Sequence, residues 1–254
     1  MTHNKANKSK ILALILGLTM CLALMLGIVF ASPTSTVYAE GETLTPYDRI
    51  YVNDEALNSG WYLDESYTQK KGNPTPDYVA KYKDGVLTLN NYHGGEIGSS
   101  APASGYYKID LIGENTINGG QRGVFIDTSR EGRVTITSSV NGKLTINASS
   151  ANSVWGIACG VSNSVKTTDV VIGGNAQVTI NATSNGENRQ VDGIHARNVT
   201  IEDNASVNIT AKNTNNSTAS QWVAGIFAVN NVTINTNGNI DIDVSVAGGD
   251  SAYS

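Results

Sequence analysis

Apolar and polar residues alternate in short runs along the second half of the chain, and each group of runs opens on a glycine followed by an aliphatic residue. These steps are Gly123-Val124, Gly156-Ile157, Gly193-Ile194 and Gly225-Ile226, separated by 33, 37 and 32 residues. Three short strands follow each step. One unit reads GIHA from Gly193, NVTI from Asn198 and SVNITA from Ser206; the next reads GIFA from Gly225, NVTI from Asn231 and NIDIDV from Asn239. A repeat of this period with three strands per unit predicts a solenoid, in which no unit buries its apolar face until neighbours stack on it. Alternation assigns Ile194, Ala196, Val199, Ile201, Val207, Ile209 and Ala211 to the interior of one coil, and Ile226, Ala228, Val232, Ile234, Ile240, Ile242 and Val244 to the next. Each strand should pair in parallel with its counterpart about 4.8 Å away.

The turns repeat as well. Asn141-Gly142, Asn175-Ala176, Asn204-Ala205 and Asn237-Gly238 each stand three residues before an inward aliphatic: Leu144, Val178, Val207 and Ile240. Asparagine tolerates the left-handed conformation of a tight corner, and stacking should set the four amides in a ladder.

Before the repeats lie two different regions. Residues 1–39 carry Lys5, Lys8 and Lys10, an apolar run from Ile11 to Ala31, and a small-x-small site ending at Ala39, with a second at Ala31. That order is a secretory signal peptide, with cleavage expected after Ala39 and an uncleaved anchor as the alternative. Cys21 lacks the small residue that a lipidation site wants directly before it. Residues 40–95 leave the repeat pattern and gather Tyr and Trp between turn-rich breakers such as the stretch from Gly72 to Pro76. They read as a β-rich N-terminal cap, and 96–254 as the repeats. The ten residues after Val244 occupy the place of an insert before a new coil, so the expectation is a solenoid truncated at its C-terminus. Its open edge should self-associate.

Two lines in the first coils carry a resemblance. Asp84–Tyr92 (DGVLTLNNY) and Ile109–Ile117 (IDLIGENTI), followed by Gly-Ile units, resemble secreted surface proteins of clostridia-like Firmicutes labelled carbohydrate-binding-domain proteins. The resemblance implies a right-handed parallel β-helix, related in shape to pectate lyases, and a glycan-facing extracytoplasmic role. The fold expected is therefore all-β: a right-handed parallel β-helix solenoid, three strands per coil, with a β-rich N-terminal cap.

Charge and chemistry narrow the function. Removing 1–39 takes away three lysines and no acid, moving the net charge from −5 to −8. That excludes an electrostatic footprint for nucleic acid, and the mature domain has no segment for membrane insertion. Cys159 alone survives maturation, in an inward column with Ile126, Ala196 and Ala228, where it reads as a packed thiol. No Gly-x-Ser-x-Gly, His-Glu-x-x-His or Cys-x-x-Cys motif is present. A calcium-dependent lyase needs converging acids beside a base. Here the outward columns read Asp127, Gly160, Arg197, Val229 and Arg133, Asp169, Asn198, Asn231. The metal candidate is the Asp241/Asp243 pair, as a calcium site. No catalytic residue is assigned.

Binding has a better-placed surface. Phe125, Ala158, His195 and Phe227 point outward two residues after each repeat glycine, beside a column of bare glycines, with Trp155 and Trp222 at the strand entrances. Phe125, Trp155, His195, Trp222 and Phe227 are the candidate carbohydrate ligands, unless the inserts before each glycine fold over the strip and bury it. The functional expectation is a secreted or cell-surface, non-catalytic module that binds polysaccharide or glycan or serves adhesion. The alternatives are a polysaccharide lyase or hydrolase and a purely structural stalk.

Overall fold

The computed structural model describes residues 44–100, 104–128, 130–159, 168–217, 221–248 and 252–253. The expected secretory segment and both its cleavage sites lie outside the described residues. The described chain opens on an antiparallel hairpin, β1 (Arg49–Val52) and β2 (Glu55–Asn58). Asn53 and Asp54 turn it with φ of 55° and 63°, the left-handed pair that suits a two-residue hairpin loop. Next, β3 (Trp61–Leu63) pairs antiparallel with β4 (Gln69–Lys71) and β5 (Ala80–Lys83). Asp84 and Gly85, also left-handed, return β5 antiparallel into β6 (Val86–Asn90). These strands and the segment leading into β1 bring Tyr47, Leu57, Leu63 and Tyr82 onto the core.

Parallel stacking starts at β6. The first coil continues through β7 (His93–Gly94) and β8 (Ile97–Ser99), the second through β9 (Gly105–Ile112), β10 (Glu114–Gly119) and β11 (Arg122–Ile126). The third holds β12 (Gly132–Thr137), β13 (Lys143–Ser150) and β14 (Val154–Cys159). Then come β15 (Thr168–Ile172), β16 (Gln177–Ser184), β17 (Gln190–Asp203), β18 (Ser206–Asn213), β19 (Trp222–Thr236), β20 (Ile240–Val246) and β21 (Ala252–Tyr253). The described residues contain no helix. The result is an all-β solenoid with three faces. The glycine steps lie on the first face (β8, β11, β14, the leading halves of β17 and β19, and β21). The second comprises β6, β9, β12, β15 and the trailing halves of β17 and β19, and the third β7, β10, β13, β16, β18 and β20. Because β17 and β19 run unbroken round the corner, the first two faces join into one sheet and only the third is separate. The corner is absorbed by a register shift at Arg197, opposite which β19 carries both Val229 and Asn230.

Register follows the columns that the repeats predict. Val124, Ile157, Ile194 and Ile226 pair in sequence on the first face, Val134, Val170, Val199 and Val232 on the second, and Leu144, Val178, Val207 and Ile240 on the third. Through the third and fourth coils these side chains are buried; in the last described coil Val232 and Ile234 are 47% and 51% exposed. Cys159 is fully buried, and burial pushes its thiol far up, leaving a packed group rather than a nucleophile.

Two expectations about the repeat change. The glycine column does not face outward. A Cβ on Gly123, Gly156, Gly193 or Gly225 would run into the γ2 methyl of Ile146, Ile180, Ile209 or Ile242 respectively, so each glycine presses against the isoleucine column of the third face. The corner asparagines also divide their labour differently. Asn141 is left-handed, but in the next two coils Gly174 and Asp203, each one residue earlier, take the positive φ. The amide ladder runs through three of the four: Asn204 donates to Asn175 at 3.0 Å and Asn237 to Asn204 at 3.2 Å, while Asn175 donates to the Ser139 carbonyl. A second ladder joins Asn181 to Asn147 at 2.9 Å and Asn147 to Asn118 at 3.0 Å.

The alternation makes a direct stability test. Ile209→Asn places an amide with no partner in the dry column between Ile180 and Ile242 and should cost about 3 kcal/mol or more. Its exposed neighbour Asn208→Thr, which pairs with Thr179, should stay within about 0.5 kcal/mol. Chemical denaturation midpoints of the two variants check both values.

Candidate functional site

On the first face one outward column is continuous across the coils. Register pairs Tyr51 with Gly98, Gly98 with Phe125, Phe125 with Ala158, Ala158 with His195, and His195 with Phe227. Large and small residues alternate along most of it. The Phe125 ring occupies the space above Gly98, where a Cβ would collide with Cδ1 and Cγ of the ring. Phe125 is only 4% exposed, and the Arg122 guanidinium covers its ring at 3.9 Å from the centroid. Arg122 is itself held between Glu96 at 3.6 Å and Asp127 at 3.7 Å.

The centre of the strip is His195, 8% exposed. Phe227 stacks on its ring at 4.8 Å between centroids and 18° between planes, and Trp155 meets it edge-on at 6.3 Å. Trp222 then packs edge-on against Phe227 at 5.9 Å. Accessibility rises along this series: Phe125 and His195 are buried, Trp155 and Phe227 half-buried, and Trp222 is 42% exposed. The strip is therefore covered at the Phe125 end and most accessible at Trp222. Asp241 and Asp243 project from β20 on the third face, away from this cluster; both are exposed and lie beside Asn208 and Thr210 in register.

Asp192, which the repeat pattern did not single out, completes the centre. Its side chain is fully buried, and Oδ2 lies 2.5 Å from His195 Nδ1 and accepts a 2.7 Å hydrogen bond from Gln190 Nε2. Strict alternation counted back from inward Ile194 would send Asp192 inward. The glycine prevents this: Val191 and Ile194, three apart, are both inward, so the alternation slips at Gly193 and Asp192 shares the outer face with His195. The readable signal was the Val-x-Gly-Ile pattern at Val154, Val191 and Val223. Tyr51 had no such signal, because it enters the column from an antiparallel strand outside the repeat.

Burial is the largest influence on Asp192 and pushes its carboxyl above the usual range; His195, then Gln190 and Trp155, pull it only partly back. The Trp155 indole N–H approaches without completing a hydrogen bond, and Asp192 Oδ1 also lacks a partner among the described residues. Round the corner, Arg197 closes a second network. Its Nε and Nη2 fork onto both oxygens of buried Asp169 at 2.8 and 2.7 Å, and its Nη1 reaches Glu131 at 3.0 Å. Asn198 adds a 2.8 Å bond to Asp169. Arg197 thus holds three coils together and is not a free cation for a ligand. Among the described residues no three His, Cys, Asp or Glu side chains converge.

No family model, curated protein or solved structure matches this chain, so what the site does is argued from its own chemistry.

The Asp192 shift has a definite sign. The folded state holds this proton more tightly than the unfolded chain, so folding is favoured below the ordinary carboxylate range and stability falls as pH rises from there through the raised value. Asp192→Asn should flatten that part of the curve. Melting temperatures of the two proteins across pH 3–8 test it, and parallel curves contradict the assignment.

Proposed function

We propose that the protein is a secreted or cell-surface glycan-binding module whose β-solenoid serves as a rigid platform. The observation that carries this reading is the accessible end of the aromatic strip, where Trp222 stands 42% exposed against Phe227, itself stacked on His195. A ring fixed on a flat parallel sheet offers an apolar face to a pyranose, and its orientation is settled before the ligand arrives. The net negative charge argues for neutral or sparsely charged glycans over polyanions. The lysine-led apolar run at 1–39 supports export. Calcium at Asp241 and Asp243 would sit on a different face and is not needed for this contact.

A second reading, polysaccharide elimination, draws on the Asp192–His195 pair. With Asp192 accepting from Nδ1, the remaining lone pair of the imidazole is on Nε2, the arrangement of a general base. Ultraviolet absorbance from an unsaturated product on polyuronates with added calcium, abolished in His195→Asn, would favour it over pure binding.

The binding reading predicts that Trp222→Ala migrates faster than the parent protein through native gels containing a cognate polysaccharide, with affinity reduced about three- to tenfold. Its unfolding free energy should drop by about 1–2 kcal/mol, since the half-covered ring loses its edge-on contact with Phe227, and a cooperative melting transition shows that the variant stays folded. Equal mobility of the two proteins across a panel of plant, bacterial and host polysaccharides would refute it.

A further inference from the structure

At the other end of the same face a cleft of 430 Å³ opens between three chain segments. Thr45, Pro46, Tyr47, Asp48 and Arg49 line it from the approach to β1, Tyr51 and Asn58 from the β1–β2 hairpin, and Ser99, Ser100 and Ser104 from the exit of β8. The volume falls within the range of small-ligand sites, about 300–1,000 Å³. Alternation along β1 turns Ile50 and Val52 into the core and leaves Arg49 and Tyr51 on the outer face. The Arg49 guanidinium lies 5.7 Å from the Tyr51 ring centroid, and among the described residues no carboxylate pairs with it. This separates it from Arg122 and Arg197, whose charges are already spent on acids.

We propose that this cleft is a carbohydrate subsite selective for a single carboxylate-bearing sugar, of the hexuronic acid class. Arg49 takes the carboxylate through its planar fork of donors. The Tyr51 ring, half-buried on the wall of the cleft, packs against the pyranose. Thr45, Asn58 and Ser100, exposed on the rim, bond sugar hydroxyls. Asp48 on the same rim accepts from a hydroxyl but repels the carboxylate, so the site suits one acidic unit and disfavours a run of them. The subsite is independent of the Trp222 end: Tyr51 and Phe227 stand five strand spacings apart, about 24 Å.

Isothermal titration of the purified protein with glucuronic acid and with glucose, each as its methyl glycoside, tests the assignment. The glucuronide should bind and the glucoside should bind at least tenfold more weakly. Arg49→Gln should lose about tenfold or more of the glucuronide affinity, while Asp48→Asn should tighten it by removing a like charge. Both side chains are exposed, so melting curves should stay unchanged. Trp222→Ala should bind the glucuronide as the parent does, even where it has lost polysaccharide retention. Equal binding of the two sugars, no binding of either, indifference to Arg49→Gln, or loss in Trp222→Ala would each overturn the proposal.

Discussion

Everything on the first face depends on how closely the glycine steps approach the isoleucine column of the third. Gly123, Gly156, Gly193 and Gly225 each stand where a Cβ would enter the γ2 methyl of an inward isoleucine. In three of the four the carbonyl of the next coil's glycine is also within 2.8 Å of that hypothetical atom. A side chain there would force the two faces apart, and a packed core does not yield cheaply to added volume. The glycines are therefore a steric requirement of the coil's cross-section. Their lack of a side chain also lets the strand alternation slip by one residue, which turns Asp192 to the outside beside His195. One packing constraint thus sets both the width of the core and the composition of the outer strip.

The inner and outer columns behave differently because they answer to different neighbours. Inward positions meet the same apolar environment in every coil, so Ile157, Ile194 and Ile226 repeat with little freedom. Outward positions meet neighbouring strands and nearby side chains of their own strand, which differ from coil to coil. The sequence Tyr51, Gly98, Phe125, Ala158, His195, Phe227 does not repeat one residue type from coil to coil. Beside this column stand Asp192, whose carboxyl burial pushes up, and the part-exposed Trp222, and they mark this surface as the candidate site.

The architecture was legible in the sequence because a solenoid writes each structural requirement several times. Four glycine steps, seven inward apolar columns and recurrent Asn corners left one consistent fold, and the observed register follows the predicted columns. The candidate site was legible only in part, for the same reason inverted. Phe125, His195 and Phe227 were found because they hold a repeat position; Trp155 and Trp222 were found as aromatics beside it. Whether these rings were open to solvent depended on Arg122, which lies over Phe125 through its own ion pairs, and no repeat position records that. Asp192 was hidden by the slip at Gly193, and Tyr51 and Arg49 by standing on an antiparallel strand that obeys no repeat.

The spacing of parallel strands finally explains why the rings are arranged as they are. Neighbouring outward side chains in a column are set about 4.8 Å apart by the backbone hydrogen bonds. Two rings at that distance fit best with their planes nearly parallel, face to face, and His195 and Phe227 stack so at 4.8 Å and 18°. Any other geometry needs more room, so Phe125 leans over Gly98 and the edge-on contacts of Trp155 and Trp222 come from the adjacent columns. The backbone ladder therefore fixes ring spacing, ring spacing fixes ring tilt, and tilt decides which aromatic face is left for a ligand. At the Phe125 end that face is taken by Arg122; at the far end Trp222, which caps Phe227 edge-on, keeps part of its surface in water.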